Sequence, residues 1–136
     1  MLNPLALIGN IGLILIGLAG LLHIVIFYFE SVVWSQPKTW KRFGLRSQED
    51  ADVVKPMALN QGFYNLFLAI GVFVGLGLLV SGATDAGITL TLFAALSMVA
   101  AATVLVVSNP KLARAAITQG ALPLVGSILV LVALAR

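Results

Sequence analysis

The sequence predicts an all-α fold: an integral membrane four-helix bundle whose neighbouring helices run antiparallel. One observation is composition. The chain of 136 residues is 60% hydrophobic and only 10% charged, whereas soluble domains carry about 25% charged residues, so it cannot cover a globular surface with charge. The other observation is that the apolar residues form four uncharged stretches. Each approaches the length of about 20 residues that a helix needs to cross the hydrocarbon core of a bilayer.

The first predicted span covers residues 5–29. No Lys or Arg precedes it, unlike the start of a cleavable signal peptide, so we expect this helix to be retained. The second covers residues 57–80, and Gly82 is expected to terminate it because glycine suits the left-handed conformation at a helix C-terminus. A loop of residues 30–56 connects the two spans.

The third predicted span, residues 88–107, stops before an Asn-Pro turn signal. The fourth, residues 119–135, is the shortest and carries Pro123. We expect this proline to be tolerated near the start of its helix, where amide groups lack intrahelical partners anyway. The short connections favour antiparallel neighbours in one transmembrane domain, residues 1–136.

The basic residues orient these spans. All eight except Arg136 fall in the loops between spans one and two and between spans three and four. The positive-inside rule therefore places both loops in the cytoplasm and both termini on the extracytoplasmic side. The seven loop residues are Lys38, Lys41, Arg42, Arg46, Lys55, Lys111 and Arg114.

The long loop carries features of its own. Trp34 and Trp40 suit the aromatic belt at a membrane surface, and the neighbouring basic residues suit anionic lipid headgroups. Simple anchoring and specific lipid recognition are both compatible with this pattern. Ser47 is a candidate N-cap for a short helix over residues 48–54, with Pro56 marking a bend before the second span.

Polar residues crowd the start of the second span, where the sequence reads "PMALNQGFYN". An unpaired polar group in hydrocarbon is costly, so these side chains should face protein, water or the interface. His23 and Glu30 lie towards the same end of the first span and share a helix face. We therefore predict a polar, ligand-binding pocket in the cytoplasmic half, made of His23, Glu30, Asn60, Gln61, Tyr64 and Asn65, with Ser108 and Gln119 at its border.

Each polar residue also has a structural interpretation. His23 would then hydrogen-bond a neighbouring helix, and Glu30 would reach the membrane surface or pair with Lys38 or Lys41. The amide cluster would join helices. Small residues predict helix packing at Gly12, Gly20, Gly71 and Gly75, because close helix approach needs small side chains. Whether the Gly71/Gly75 pair packs within one chain or in a homodimer is left open.

Two segments, "HIVIFYFE" and "KPMALNQGFYNLFLA", resemble a family of small bacterial inner-membrane proteins with four predicted spans, the domain of unknown function thirteen-oh-four. The resemblance runs from about Gly17 to Leu131. It implies a multi-pass protein of the bacterial inner (plasma) membrane and implies no function. The residues that carry it are His23, Tyr28, Glu30, Asn60, Gln61, Gly62, Tyr64 and Asn65.

Three function classes remain open. The first is binding or transport of a small amphipathic molecule or lipid through the predicted pocket; the small multidrug transporters share the span number, but their acidic residue lies mid-membrane. The second is a structural or accessory subunit. The third, which we favour least, is an enzyme acting on a lipid or isoprenoid, with His23 and Glu30 as acid and base. We expect no metal, cofactor, catalytic nucleophile or nucleic-acid partner, and the absence of cysteine excludes thiol chemistry.

Overall fold

The computed structural model describes residues 3–135, and within that range the chain is all-α, without strands. Four of its helices are long and apolar enough to cross a membrane. The predicted all-α, four-helix membrane fold is thereby confirmed. The helices are α1 (Pro4–Phe27), α2 (Pro37–Trp40), α3 (Gln48–Val80), α4 (Thr84–Ser108) and α5 (Ala113–Leu134).

The four long helices form a closed ring of neighbours. Helix α1 packs against α3 and α5, and α4 packs against the same two, whereas α1 and α4 scarcely touch across the bundle. One groove is lined by residues drawn from three parts of the chain, 22–29, 41–44 and 111–119. The end of α1 and the start of α5 therefore lie together with the first long loop. We call this the basic end, because it carries all the basic residues in the described part of the chain.

Helix α3 is longer than the predicted span, and it begins before the predicted bend. Its N-cap is Ser47, whose side chain accepts a hydrogen bond from the Asp50 amide at 3.0 Å, as the sequence indicated. The helix then continues through Pro56 without interruption. At 33 residues it is about 50 Å long, which exceeds the ~30 Å hydrocarbon core. All of its charged residues lie in its first turns, from Glu49 to Lys55, so we expect that end to extend beyond the bilayer. The predicted loop of residues 30–56 is therefore largely helical.

Helix α5 also begins earlier than the predicted fourth span, at Ala113. Pro123 consequently lies in the middle of the helix and not near its start, and the explanation given for it from the sequence was wrong. Its missing amide leaves the Gln119 carbonyl without its intrahelical donor. Pro123 is fully buried, and membrane helices tolerate such prolines where neighbouring protein covers the freed backbone group.

The turn between α3 and α4 follows the prediction for Gly82. This residue adopts φ +88°, and the amides of Gly82 and Ala83 donate to the carbonyls of Leu79 and Leu78. That pair of bonds is a Schellman motif, which satisfies the last carbonyls of a helix through a left-handed residue.

Glycines let the helices approach closely away from the basic end. A Cβ added at Gly12 would lie 2.7 Å from the Gly126 carbonyl oxygen of α5, and one added at Gly75 would lie 2.8 Å from the Thr91 nitrogen of α4. Gly20 faces Phe73, and Gly71 faces Ala94 of the same chain. All four glycines that the sequence selected thus lie at helix–helix contacts within one chain. The core between them comprises Ile16, Ala19, Val72, Ala94, Ala95, Met98 and Val130.

The tryptophans of the long loop belong to a second, smaller core. Trp34 and Trp40 are each only 4% exposed, packed with Ala51 and Ala58 of α3. The Trp34 indole N–H donates to the Ala51 carbonyl at 2.9 Å. These rings are therefore covered by protein, because α3 extends far enough to give the loop a surface to pack on. Their place in the aromatic belt at the membrane surface stays a prediction.

Candidate functional site

The candidate site begins where α1 changes its winding. Residues Tyr28–Val32 continue the helix as a π-turn, in which the Val33 amide donates to the carbonyl of Tyr28, five residues back, at 3.1 Å. Such wider turns are rare and are frequent at functional sites. Here the turn carries Glu30, which is buried with 8% exposure.

Glu30 is held by one residue of the neighbouring helix. The Asn65 side-chain amide donates to Glu30 Oε2 at 2.8 Å and also to the backbone carbonyl of Gln61 at 3.1 Å. Asn65 is itself 7% exposed. The bond joins α1 to α3, and it uses only part of a carboxylate group that can accept about four hydrogen bonds.

A second bond fixes the same contact. The Ser31 hydroxyl donates to the Leu59 carbonyl of α3 at 3.0 Å. Gly62 makes room for it, because a Cβ at this position would collide with Ser31 Oγ and would lie 3.0 Å from Glu30 Cβ. The π-turn is thus seated on a notch in α3 that only glycine provides.

A cavity of about 400 Å³ opens beside this contact at the basic end. We call it the Glu30 cavity. Its walls combine the carboxylate with hydroxyl groups, one ammonium group and apolar surface. The lining residues are Glu30, Ser31, Val32, Trp34, Ser35, Lys55, Pro56 and Leu59.

The remaining predicted site residues lie elsewhere. His23 is buried with 1% exposure, and its Nδ1–H donates to the Ala19 carbonyl of its own helix at 2.8 Å. Asn60, Gln61 and Tyr64 are exposed on the outside of α3. The structure therefore brings together Glu30 and Asn65 but not the other four.

The two residues predicted at the border of the pocket do not reach it either. The Ser108 hydroxyl donates to the Leu105 carbonyl of its own helix. Gln119 lines the separate groove between α1 and α5. Glu30 bonds to Asn65, and neither Lys38 nor Lys41, its predicted alternative partners, lines the cavity.

Several residues of the Glu30 cavity were missed in the sequence. Ser31 follows Glu30 directly, and Ser35 lies five residues after Glu30. Gly62, which makes room for Ser31 beside the cavity, lies within the polar stretch "PMALNQGFYN" and was given no packing role from the sequence. A glycine in such a motif was a usable signal, since it marks a place where another chain segment approaches closely. Lys55 had no such signal, because its position depends on α3 continuing through Pro56.

The chemistry available in the Glu30 cavity is recognition by charge and hydrogen bonds. Its carboxylate can accept hydrogen bonds from an amine or hydroxyl group, and its serines can donate and accept them.

Within residues 3–135, no three His, Asp or Glu side chains lie close enough to hold a metal ion together. His23 does not line the cavity, so the two groups suggested as an acid–base pair do not share it.

Comparison with known proteins gives one match. A family model described as a protein of unknown function (DUF1304) covers residues 17–131. That range includes the π-turn, the glycine notch and every residue that lines the Glu30 cavity. No curated protein and no solved structure gives a significant match.

Proposed function

The chain belongs to the DUF1304 family, whose description names no activity, and from the site itself we propose that it binds a small amphipathic molecule in the Glu30 cavity. The observation that carries the proposal is a buried carboxylate at the wall of a cavity in a membrane bundle. An ionisable residue inside a membrane domain is costly to bury and is most often functional.

The walls of the Glu30 cavity define the class of ligand. Glu30 and the two serines favour a polar end with hydrogen-bond donors, such as an amine or hydroxyl group. Trp34, Pro56 and Leu59 favour an apolar body against them. The volume of about 400 Å³ falls in the range typical of small-molecule sites, about 300–1,000 Å³.

Binding is better supported than transport. The lining residues all come from the π-turn, the segment after it and the first turns of α3, so the cavity is confined to the basic end. A transport path would have to continue past His23 and through the glycine-packed half of the bundle, where helix backbones are in direct contact.

Native mass spectrometry of the protein extracted in a mild detergent tests this proposal. We expect a discrete small-molecule adduct on the wild type that is lost in Glu30→Gln. This variant removes the charge while keeping a side chain that can bond to Asn65, so the fold should persist. Thermal melting in the same detergent checks that it does.

Asn60→Leu is the matched control, because Asn60 lies on the same helix but is exposed outside the cavity. It should retain the adduct. A wild-type protein that carries no adduct, or an adduct that survives in Glu30→Gln, would contradict the proposal.

Self-association is a second candidate function, and one observation favours it. Asn60, Gln61 and Tyr64 present polar groups on the outer face of α3, where a second helix could satisfy them. In that case Asn60→Leu would shift the protein from dimer to monomer in detergent, measured by light scattering. The same variant would leave the adduct at the Glu30 cavity unchanged.

A further inference from the structure

Four cationic side chains from distant parts of the sequence converge on one groove at the basic end. Lys41 and Arg42 come from the loop after α1, and Lys111 and Arg114 come from the connection between α4 and α5. The groove has a volume of about 690 Å³. We call it the basic groove; it shares no lining residue with the Glu30 cavity.

The floor of the basic groove is apolar. It consists of Leu22, Val25, Ile26 and Phe29, on the last turns of α1 and the π-turn. Val25 is 45% exposed, and exposed apolar side chains continue down α1 at Leu21 and Leu18. An apolar track therefore leads from the cationic mouth of the groove along the outside of the bundle.

No carboxylate opposes these charges. None of the five acidic residues of the chain lines the groove. Two of the cations are instead placed against aromatic rings: the Arg42 guanidinium lies 5.0 Å from the centre of the Phe29 ring, and Lys41 Nζ lies 5.6 Å from that of Trp40. Such contacts orient a cation while leaving its hydrogen-bond donors available.

We propose that the basic groove binds the headgroup phosphate of an anionic phospholipid, with one acyl chain lying along α1. Arginine pairs with phosphate oxygens in a bidentate manner, and Thr118 and Gln119 add polar side chains to the lining. The apolar floor selects a lipid over free phosphate, because an inorganic ion would leave that surface uncovered. Orientation by the positive-inside rule requires only basic residues in the loops, and does not require four of them to share a groove.

Titration of the full chain in mild detergent with phosphatidylglycerol or phosphatidylcholine, followed by native mass spectrometry, tests this inference. The wild type should retain phosphatidylglycerol preferentially. The double variant Arg42→Gln, Arg114→Gln should weaken that retention about thirtyfold, since two cations near a lipid surface contribute about 1 kcal/mol each. Both side chains are exposed, so the bundle should still fold, and thermal melting verifies this.

Lys38→Gln, Arg46→Gln is the charge-matched control. Both residues belong to the same loop but line neither the basic groove nor the Glu30 cavity. Phosphatidylglycerol retention should change less than about threefold, because an exposed charge that makes no direct contact with the headgroup is screened by solvent and salt. Equal losses in the two double variants would overturn the inference, as would a wild type without preference for the anionic lipid. Competition by inorganic phosphate at the lipid's own concentration would overturn the choice of a lipid.

Discussion

The two halves of the bundle are held together in different ways. Away from the basic end, helices meet through glycines: Gly12 lies against the Gly126 backbone, and Gly75 against Gly87 and Thr91. At the basic end, one close glycine contact, at Gly62, is accompanied by directional bonds between the elements: Asn65 to Glu30, Ser31 to Leu59, and Trp34 to Ala51. The glycine contacts depend on shape alone, whereas the polar contacts place a carboxylate and hydroxyl groups beside a cavity. The comparison indicates that the first half maintains the fold and the second offers the chemistry.

The largest expected loss of stability comes from adding a methyl group where a glycine allows two helices to touch. Gly75→Ala should destabilise the bundle by about 2–3 kcal/mol, because overpacking a tight contact typically costs 1–3 kcal/mol and the obstructing atoms include the Thr91 backbone. Thermal melting in mild detergent measures it. Gly77→Ala is the matched control: a Cβ there has no neighbour within 4 Å, and alanine gains up to about 1 kcal/mol over glycine in a helix. A similar fall in both variants would refute the assignment of Gly75 to a tight helix contact.

A smaller loss of stability should follow from removing the hydrogen bond between α3 and the π-turn, from Asn65 to Glu30. Asn65→Leu should cost about 1–2 kcal/mol, as expected for one hydrogen bond between membrane helices, because it leaves the Glu30 carboxylate buried without its donor. Asn60→Leu, on the exposed side of the same helix, should cost nothing measurable in the monomer. Thermal melting of the two variants side by side gives the difference. If Asn60→Leu were the more damaging of the two, the polar contact that matters would lie on the outer face of α3.

The smallest expected loss of stability is confined to the small core around Trp34 at the basic end. Trp34→Phe keeps an aromatic ring against Phe43, whose centre lies 5.1 Å away, but removes the bond to the Ala51 carbonyl, a loss of about 1 kcal/mol. Hydrogen exchange should rise in residues 33–47 and in the first turns of α3, while the glycine-packed half stays protected. A uniform rise along the whole chain would show that the small core at the basic end is not a separate unit.

The polar motif of α3 shows how far sequence reasoning could reach. The sequence "PMALNQGFYN" predicts one wall of a pocket. However, successive helix residues point about 100° apart around the axis, so these side chains cannot all face the same way. Gly62 and Asn65 are three residues apart and share a side, while Asn60 and Tyr64 each lie two residues from Gly62 and point about 200° away from it. Once Gly62 faces the π-turn, these two residues must face outward. The ligand-binding role of all six predicted residues stays a prediction, as does the side of the membrane on which the basic end lies.

By itself, the sequence determined the number of long helices, their apolar character, the Ser47 cap and the turn at Gly82, because each depends on composition or on residues adjacent in the chain. Only the tertiary structure decided which face of α3 meets Glu30, that α3 continues through Pro56, and that Arg42 and Arg114 share a groove. The physical reason is that a repeat of 3.6 residues fixes angles around one helix axis but not the rotation of that helix against its neighbours. Residues 72 positions apart in the chain, such as these two arginines, come to line one groove only when the bundle closes.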